Sequence, residues 1–351
     1  MANGQLSDLN AALGTTFAAK LIHNWNRLSV TLQNMTFVSG GGQGGGKQVG
    51  WDVAFSGATA ASFQEGSDIG AGEYSHDVET PAVLGWGQYR SAFSLTNLEI
   101  NAASANVGNA DELGRIVEER MMGALTKLTS VMNKDAISGT GTDGNGNPTI
   151  IGLIPALQAT GSYAGISKTT YPEWAGNVLA NGGTPRALTM DLLAAAEQAQ
   201  YIASGTSPEH LIVTPGVKRK YEGLFQSNFR FVADGGGPIK SMQGSSEDLF
   251  WRGRPLVRDK DISAGYVLGL RSSALKLHML PWTPVSDGVP TKLADLISSN
   301  GGAMSQQLGK FVNVYPLART GSAIKFAVEL YCQLAVDRVN EHFLIADVAE
   351  V

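Results

Sequence analysis

The stretch GGQGGGKQ, residues 41–48, has the spacing nearest to a reactive motif. Gly41, Gly46 and Lys47 match the G-x-x-x-x-G-K of a phosphate-binding loop, which would make the chain a nucleotide hydrolase. The next position of such a loop carries a hydroxyl that reaches Mg²⁺, and Gln48 has none. The loop must also open a helix, whose N-terminal N–H groups hold the anion. Residues 47–56 alternate instead, with Val49, Trp51, Val53 and Phe55 on one side and Gln48, Gly50, Asp52 and Ala54 on the other. The glycines read as a flexible hinge before a strand. The histidines His23, His76, His210, His278 and His342 form no H-E-x-x-H pattern. No G-x-S-x-G elbow is present. Cys332, the single cysteine, lies in an apolar segment and reads as a packed thiol. These residues predict no catalytic centre, no metal site and no cofactor.

The basic clusters give no nucleic-acid signature either. Lys218, Arg219 and Lys220 follow a helix start and fit a solvated face or an ion pair between subunits. Arg252, Arg254 and Arg258 surround Gly253 and Pro255 without an aromatic platform on which bases could stack. The 26 basic and 31 acidic residues leave a net charge of −5, whereas a sequence-independent DNA binder draws its affinity from excess positive charge. Hydrophobic residues make up 43%, which excludes a disordered chain. Charged residues are 16%, below the roughly 25% of soluble domains. With 43 glycines among 351 residues, this suggests many turns and much surface covered by other protein. The start, MANGQLSDLN, lacks the features of a signal peptide, and no run reaches the roughly 18 apolar residues of a spanning helix. With a single cysteine, the expected site of folding is a reducing cytosol.

The elements that must position any functional surface follow from periodicity. Leu6, Leu9, Leu13, Phe17 and Leu21 have helical spacing that fits a core helix or one docking on a partner. Residues 47–56 and roughly 78–98 read as two long extended arms joined by a glycine-rich, acidic tip. Such a ribbon is marginal alone, so it folds back on its own domain or lies on another subunit. In the tip, Phe63 can dock in an apolar patch, while Glu65, Asp68 and Glu73 fit loop solvation or pairing with a neighbour's basic groups. The helix 109–138 carries the apolar stripe Leu113, Ile116, Val117, Met121, Leu125, Leu128 and Met132, with a capping pair at Asn109 and Glu112 and a stop at Gly139. Residues 149–320 mix short helices and strands. Thr189 caps a helix that ends at Gly205, and the strand His210–Val213 leads into a helix opened by Pro215. Residues 322–349 read as two strands separated by VNEH.

This order resembles the major capsid protein of tailed bacteriophages, the Hong Kong 97-type shell fold, over essentially the whole chain. GISKTTYPEWAGN (165–177) is similar to the family's G-I-x-R-x-x-x-x-x-W segment, with Gly165, Ile166 and Trp174 in place and Lys168 for the usual Arg. HLIVTPGVKRKYEGL (210–224) resembles a strand–turn–helix of the family's axial domain, and EHFLI (341–345) its final return strand. The resemblance implies an α+β fold with an N-terminal arm at 1–46 and an extended loop at 47–88. A peripheral domain would follow at 89–148, with 109–138 as its spine helix. An axial domain would span 149–320, and return strands of the peripheral domain 321–351.

The implied function is a major capsid protein, a structural protein without enzymatic activity. It would self-assemble into hexamers and pentamers of an icosahedral shell around double-stranded DNA. It would be made in the host cytoplasm and reside in the virion capsid, with no membrane partner. Some family members carry an N-terminal scaffolding segment about a hundred residues long; its absence here implies a separate scaffolding protein, beside a portal and decoration proteins. Two alternatives stand beside this reading: a cellular nanocompartment shell of the same fold, and a nucleotide-hydrolysing enzyme using Gly41–Lys47.

Some members of the resembled family join subunits through an isopeptide bond between a loop lysine and an asparagine. Between Gln48 and Gln88 this sequence has no lysine. Denaturing gels of mature particles should therefore show one band at the monomer mass; a ladder that survives boiling and reducing agent would contradict this.

Overall fold

A computed structural model of the chain describes residues 30–33, 35–40, 46–56, 62, 64–66, 78–100, 110–225, 250–281, 311–317 and 321–350. A helical turn, Val30–Gln33, precedes β1 (Thr36–Ser39), β2 (Gln48–Ser56), β3 (Val78–Gly85) and β4 (Gly87–Thr96). Helix α1 (Ala110–Ser138) follows, then β5 (Thr140–Thr142), β6 (Pro148–Ile151) and α2 (Leu153–Leu157). The middle of the chain holds β7 (Ser162–Tyr163), β8 (Ile166–Ser167), a 3₁₀ turn at Pro172–Trp174, β9 (Asn177–Leu179) and α3 (Met190–Ser204). Then come β10 (His210–Val213), α4 (Pro215–Phe225), β11 (Phe250–Trp251), β12 (Arg254–Arg258) and β13 (Val267–Leu270). The chain closes with β14 (Leu275–Met279), β15 (Asn313–Pro316), β16 (Ala323–Val336) and β17 (Phe343–Ile345).

Two mixed sheets organise these elements. In the first, the long strand β16 pairs with β4 along one edge and with β15 and β14 along the other, and β1 lies parallel to β14. The second has the order β11-β12-β10-β13-β17-β9. The period of two decides the faces of β16: Phe326, Val328, Leu330, Cys332, Leu334 and Val336 are all buried in the core. Its polar residues share the other face and find partners there. Glu329 accepts hydrogen bonds from Arg90 and the Tyr315 hydroxyl, and Gln333 accepts from the Ile151 amide.

Helix α1 lays Met121, Ala124, Leu125, Leu128, Met132 and Ala136 against the first sheet, all buried. The Tyr89 hydroxyl of β4 donates to Asp135 at 2.9 Å and accepts from the Ile150 amide at 3.0 Å, which fixes helix, sheet and β6 to one another. At 29 residues the helix is roughly 43 Å long. It stops at Gly139, whose amide donates to Asp135 O at 2.8 Å. The stripe residues Leu113, Ile116 and Val117 lie on its first three turns, and their side chains, like the Asn109–Glu112 cap, are outside the described residues. The helix read from Thr189 to Gly205 is present as α3: the Thr189 side chain accepts from the Leu192 amide, and Gly205 closes the end in the left-handed conformation.

Two expectations need correction. The extended stretch 78–98 is two strands, divided at Trp86. β3 pairs with β2 to make the hairpin, and β4 pairs with β16 in the first sheet. The last two strands also part company: β16 stays in the first sheet, while β17 joins β13 and β9 in the second. The turn Val339–Glu341 redirects the chain between them. The chain crosses in the same way between β13 and β14, so the span 149–320 lends β14 and β15 to the first sheet and 321–351 lends β17 to the second. The crossings are latched together: the Asp337 amide donates to Ala274 O at 3.0 Å, Lys276 pairs with Asp337, and Arg271 pairs with Glu341. At β13, Gly269 faces Phe343, whose ring fills the space where any Cβ would sit.

A buried carboxylate ties the N-terminal turn to both layers. Asp259, at the end of β12, accepts from the Thr31 hydroxyl at 2.6 Å, the Thr31 amide at 3.2 Å and Asn133 Nδ2 at 3.2 Å. Asn133 lies on α1 and also donates to Asp261 at 2.7 Å. An acceptor with this many donors stays hydrogen-bonded on burial, which is the condition for burying it without a large loss.

His342 is fully buried between the crossings, and its Nδ1 accepts from the Arg271 amide at 3.2 Å. Burial, with His210 and Arg271 nearby, pushes its pKa from 6.5 down to about 3. The native state therefore binds fewer protons than the unfolded chain between these values, and stability falls as the pH is lowered through this window. From pH 7 to pH 5, unassembled subunits should lose about 2 kcal/mol from this residue, read by urea unfolding. A His342→Leu variant should lack that part of the slope; equal slopes would contradict the assignment.

Candidate assembly site at the hairpin root

β2 and β3 form a two-stranded sheet of their own, running from Gln48 opposite Gly85 to Ser56 opposite Val78, with an irregularity between Ala54 and Ser56. The alternation read in 47–56 gives this ribbon one apolar face, and that face lies on the subunit's own body. Phe55 stacks on Tyr171 with ring centroids 4.2 Å apart and meets Trp174 edge-on at 5.9 Å. Trp51 approaches Tyr163 at 6.5 Å, and Tyr163 stacks on Trp174 at 6.0 Å. Aromatic pairs in these geometries contribute about 0.5–1.5 kcal/mol each beyond their buried area.

The seat is built by residues 163–174, which overlap the segment 165–177 singled out by its G-I-x-K pattern. β7 and β8 make a tight hairpin whose turn residues, Ala164 and Gly165, both have positive φ, 52° and 80°. That turn suits glycine at Gly165 and is strained at Ala164. Ala164 O accepts from the Val83 amide at 2.9 Å, so the turn also grips β3. Trp174 is buried, and its Nε1 donates to Tyr163 O at 3.1 Å. The Tyr163 hydroxyl accepts from the Val336 amide at 3.0 Å, which connects the seat to β16. Lys168 is 3% exposed, and its Nζ donates to Ala156 O and Gln158 O, both at 2.6 Å, at the carbonyl end of α2. Burial lowers its pKa to about 8. The amine acts as a clamp on backbone carbonyls, and nothing in the sequence pattern signals these partners.

Between β2, the turn Pro172–Trp174, the end of α3 and the turn after β16 lies a groove of about 550 Å³. Its carboxylates are Asp52, Glu173, Asp337 and Glu341, with Arg338 beside them. Glu65 of the hairpin tip is exposed at a turn, while Phe63, Asp68 and Glu73 lie outside the described residues. Of the long-helix stripe, Met121, Leu125 and Leu128 are buried. Lys47 is followed by β2, where a phosphate loop requires a helix. Among the described residues no group of three or more His, Cys, Asp or Glu could hold a metal. No described helix is long and apolar enough to cross a membrane.

A family model for the SU10 major capsid protein matches residues 50–283, which takes in the hairpin, the seat, α1 and most of the second sheet. The chain belongs to this family. It is a major capsid protein of the tailed-phage kind, with the Hong Kong 97-type α+β fold, and its work is to form a capsid shell. Solved structures agree in fold. The capsid asymmetric unit of cyanophage A-1(L) is 18% identical with a TM-score of 0.64, over 86% of this chain and 88% of that one. The capsid of a native GTA particle is 12% identical at a TM-score of 0.53, over 91% and 89%. The SrpI encapsulin complex from Synechococcus elongatus PCC 7942 is 12% identical at 0.50, over 95% and 90%. No curated protein matches the sequence.

Removing the ring that this capsid protein sets into its seat should loosen the arm before the body. Phe55→Ala should cost about 2–3 kcal/mol if the arm unfolds with the body. If the arm opens separately, it should instead speed proteolysis within 48–85 and leave the main thermal transition unchanged. Wild-type stability and wild-type proteolysis together would show that the seat does not hold the arm.

Proposed function

We propose that the chain packs as hexamers and pentamers of an icosahedral shell that encloses double-stranded DNA without reading its sequence. The first sheet with α1 acts as the peripheral domain, and the second sheet with α3 and α4 as the axial domain around capsomer centres. Of the N-terminal arm expected at 1–46, Val30–Gln33 and β1 pack on the subunit's own body; residues 1–29 and the tip of the extended loop act between subunits, with Phe63, Glu65, Asp68 and Glu73 as contact residues. The apolar face of the spine helix, from Leu113, Ile116 and Val117 to Met121, Leu125 and Leu128, keeps each subunit rigid. The chain has no catalytic role and needs no cofactor. It assembles in the host cytoplasm with a scaffolding protein, a portal and decoration proteins.

The observation that carries this reading is the seated hairpin. A two-stranded ribbon is too small to be a domain. Here its apolar face is fixed to the body by Phe55, Trp51 and their aromatic partners, which leaves the ribbon aimed as an arm. The glycine-rich tip between Ser56 and Val78 has little to bury on its own: ordering it costs roughly 1–2 kcal/mol per residue, which a neighbour's surface must offset.

Replacing residues 58–76 by a short Gly-Ser turn should leave a soluble subunit with wild-type unfolding that no longer closes shells. Sedimentation and electron microscopy of both proteins check this, and normal shells from the deletion would end the proposal. Micrographs of wild-type particles also decide between this reading and a cellular shell. DNA-filled heads support the capsid, and particles filled with an enzyme would replace it by a nanocompartment.

A further inference from the structure

The groove beside β2 is incompletely neutralised. Asp337 pairs with Lys276, and Glu341 pairs with Arg338 at 2.9 Å and Arg271 at 3.6 Å. Asp52 and Glu173 are exposed and form no ion pair with a described residue. The groove also meets Ala203 and Ser204, at the C-terminal end of α3, where the helix carbonyls add negative potential. A cationic surface is the complement it lacks.

The same chain carries one. On α1, Lys127 and Lys134 are exposed, and neither forms an ion pair with a described residue. They stand seven residues apart, two helical turns or roughly 10 Å along the axis. Val131, between them in sequence, is 39% exposed at the border of the buried face, next to Ala124 and Leu128. The result is a basic ridge with an apolar edge. The acidic hairpin tip, with Glu65 exposed, has the wrong sign for the groove.

We propose that the Lys127–Val131–Lys134 ridge of one copy docks in the Asp52–Glu173 groove of the next copy. The proposal rests on the shell reading and names the surfaces that meet. Ridge and groove lie on different elements of one chain, so the contact is head-to-tail, and each subunit offers one of each to its neighbours. Contacts of that kind close into rings or propagate. Complementary charge fixes which surfaces meet and in which register, more than it adds affinity.

The test is a charge exchange. The groove variant carries Asp52→Lys and Glu173→Lys, the ridge variant Lys127→Glu and Lys134→Glu, and a third protein carries all four. All sites are exposed, so circular dichroism and thermal unfolding should match wild type. Sedimentation at moderate salt should show each double variant about tenfold poorer in particles, and the fourfold exchange should restore them to within about twofold of wild type. Wild-type assembly by either double variant would overturn the docking, and so would failure of the exchange to restore particles from folded subunits. In assembled wild-type-like shells, a Lys127→Cys, Glu173→Cys pair should form disulfide-linked dimers on oxidation. Their absence would overturn the contact even if the charge variants misfold. If wild-type protein forms no particles in these conditions, the shell reading fails and not the docking alone.

Discussion

A two-stranded ribbon leaves its apolar side chains without a second layer, and Val49, Trp51, Val53 and Phe55 need one. The body supplies it with Tyr163, Tyr171 and Trp174, and much of the structure serves to place those three rings. The β7–β8 turn needs a glycine at Gly165 to reverse the chain at Tyr163. Lys168 closes the carbonyl end of α2 so that the segment can pass beneath the hairpin. The Tyr163 hydroxyl reaches the backbone of β16, and through it the arm is referred to the longest of the described strands. The seat sets the direction in which the hairpin leaves the body.

The rest of the body gains its rigidity from sharing strands. β13–β14 and β16–β17 each pass from one sheet to the other, so the sheets cannot separate without breaking both crossings. Most of the polar groups at the crossings are partnered: Arg271 with Glu209 and Glu341, Lys276 with Asp337, Arg338 with Glu341. Asp259 adds a third tie, between the N-terminal turn, α1 and β12. A buried carboxylate with several donors contributes more to stability than exposed ion pairs, which are worth about 0–1 kcal/mol.

Much of this was legible in the sequence wherever a local rule was at work. The caps Thr189 and Gly205 delimit α3 because each satisfies backbone groups within one turn. The stripe from Met121 to Met132 reads as a buried face because helical spacing needs no knowledge of the partner. The alternation from Val49 to Phe55 reads as a strand for the same reason. What pairs with what was not legible. Gly85 and Gly87 flank the split at Trp86 and VNEH marks the end of β16, but which strand each piece then joins depends on contacts far apart in sequence. The seat was half visible: Gly165 and Trp174 stood out by pattern, but the carbonyls that hold Lys168 have no side-chain signature. Asn133 and Asp259 have no local signature, because only the packed fold brings them together.

The central claim is that the arm is fixed by its own subunit before any neighbour is present. Amide hydrogen exchange on unassembled subunits measures this residue by residue. The account predicts that the paired amides of β2 and β3, and the Val83 amide bonded to Ala164, are protected to a degree comparable with β16. Amides of 48–56 and 78–85 that exchange at unprotected rates until shells form would contradict it.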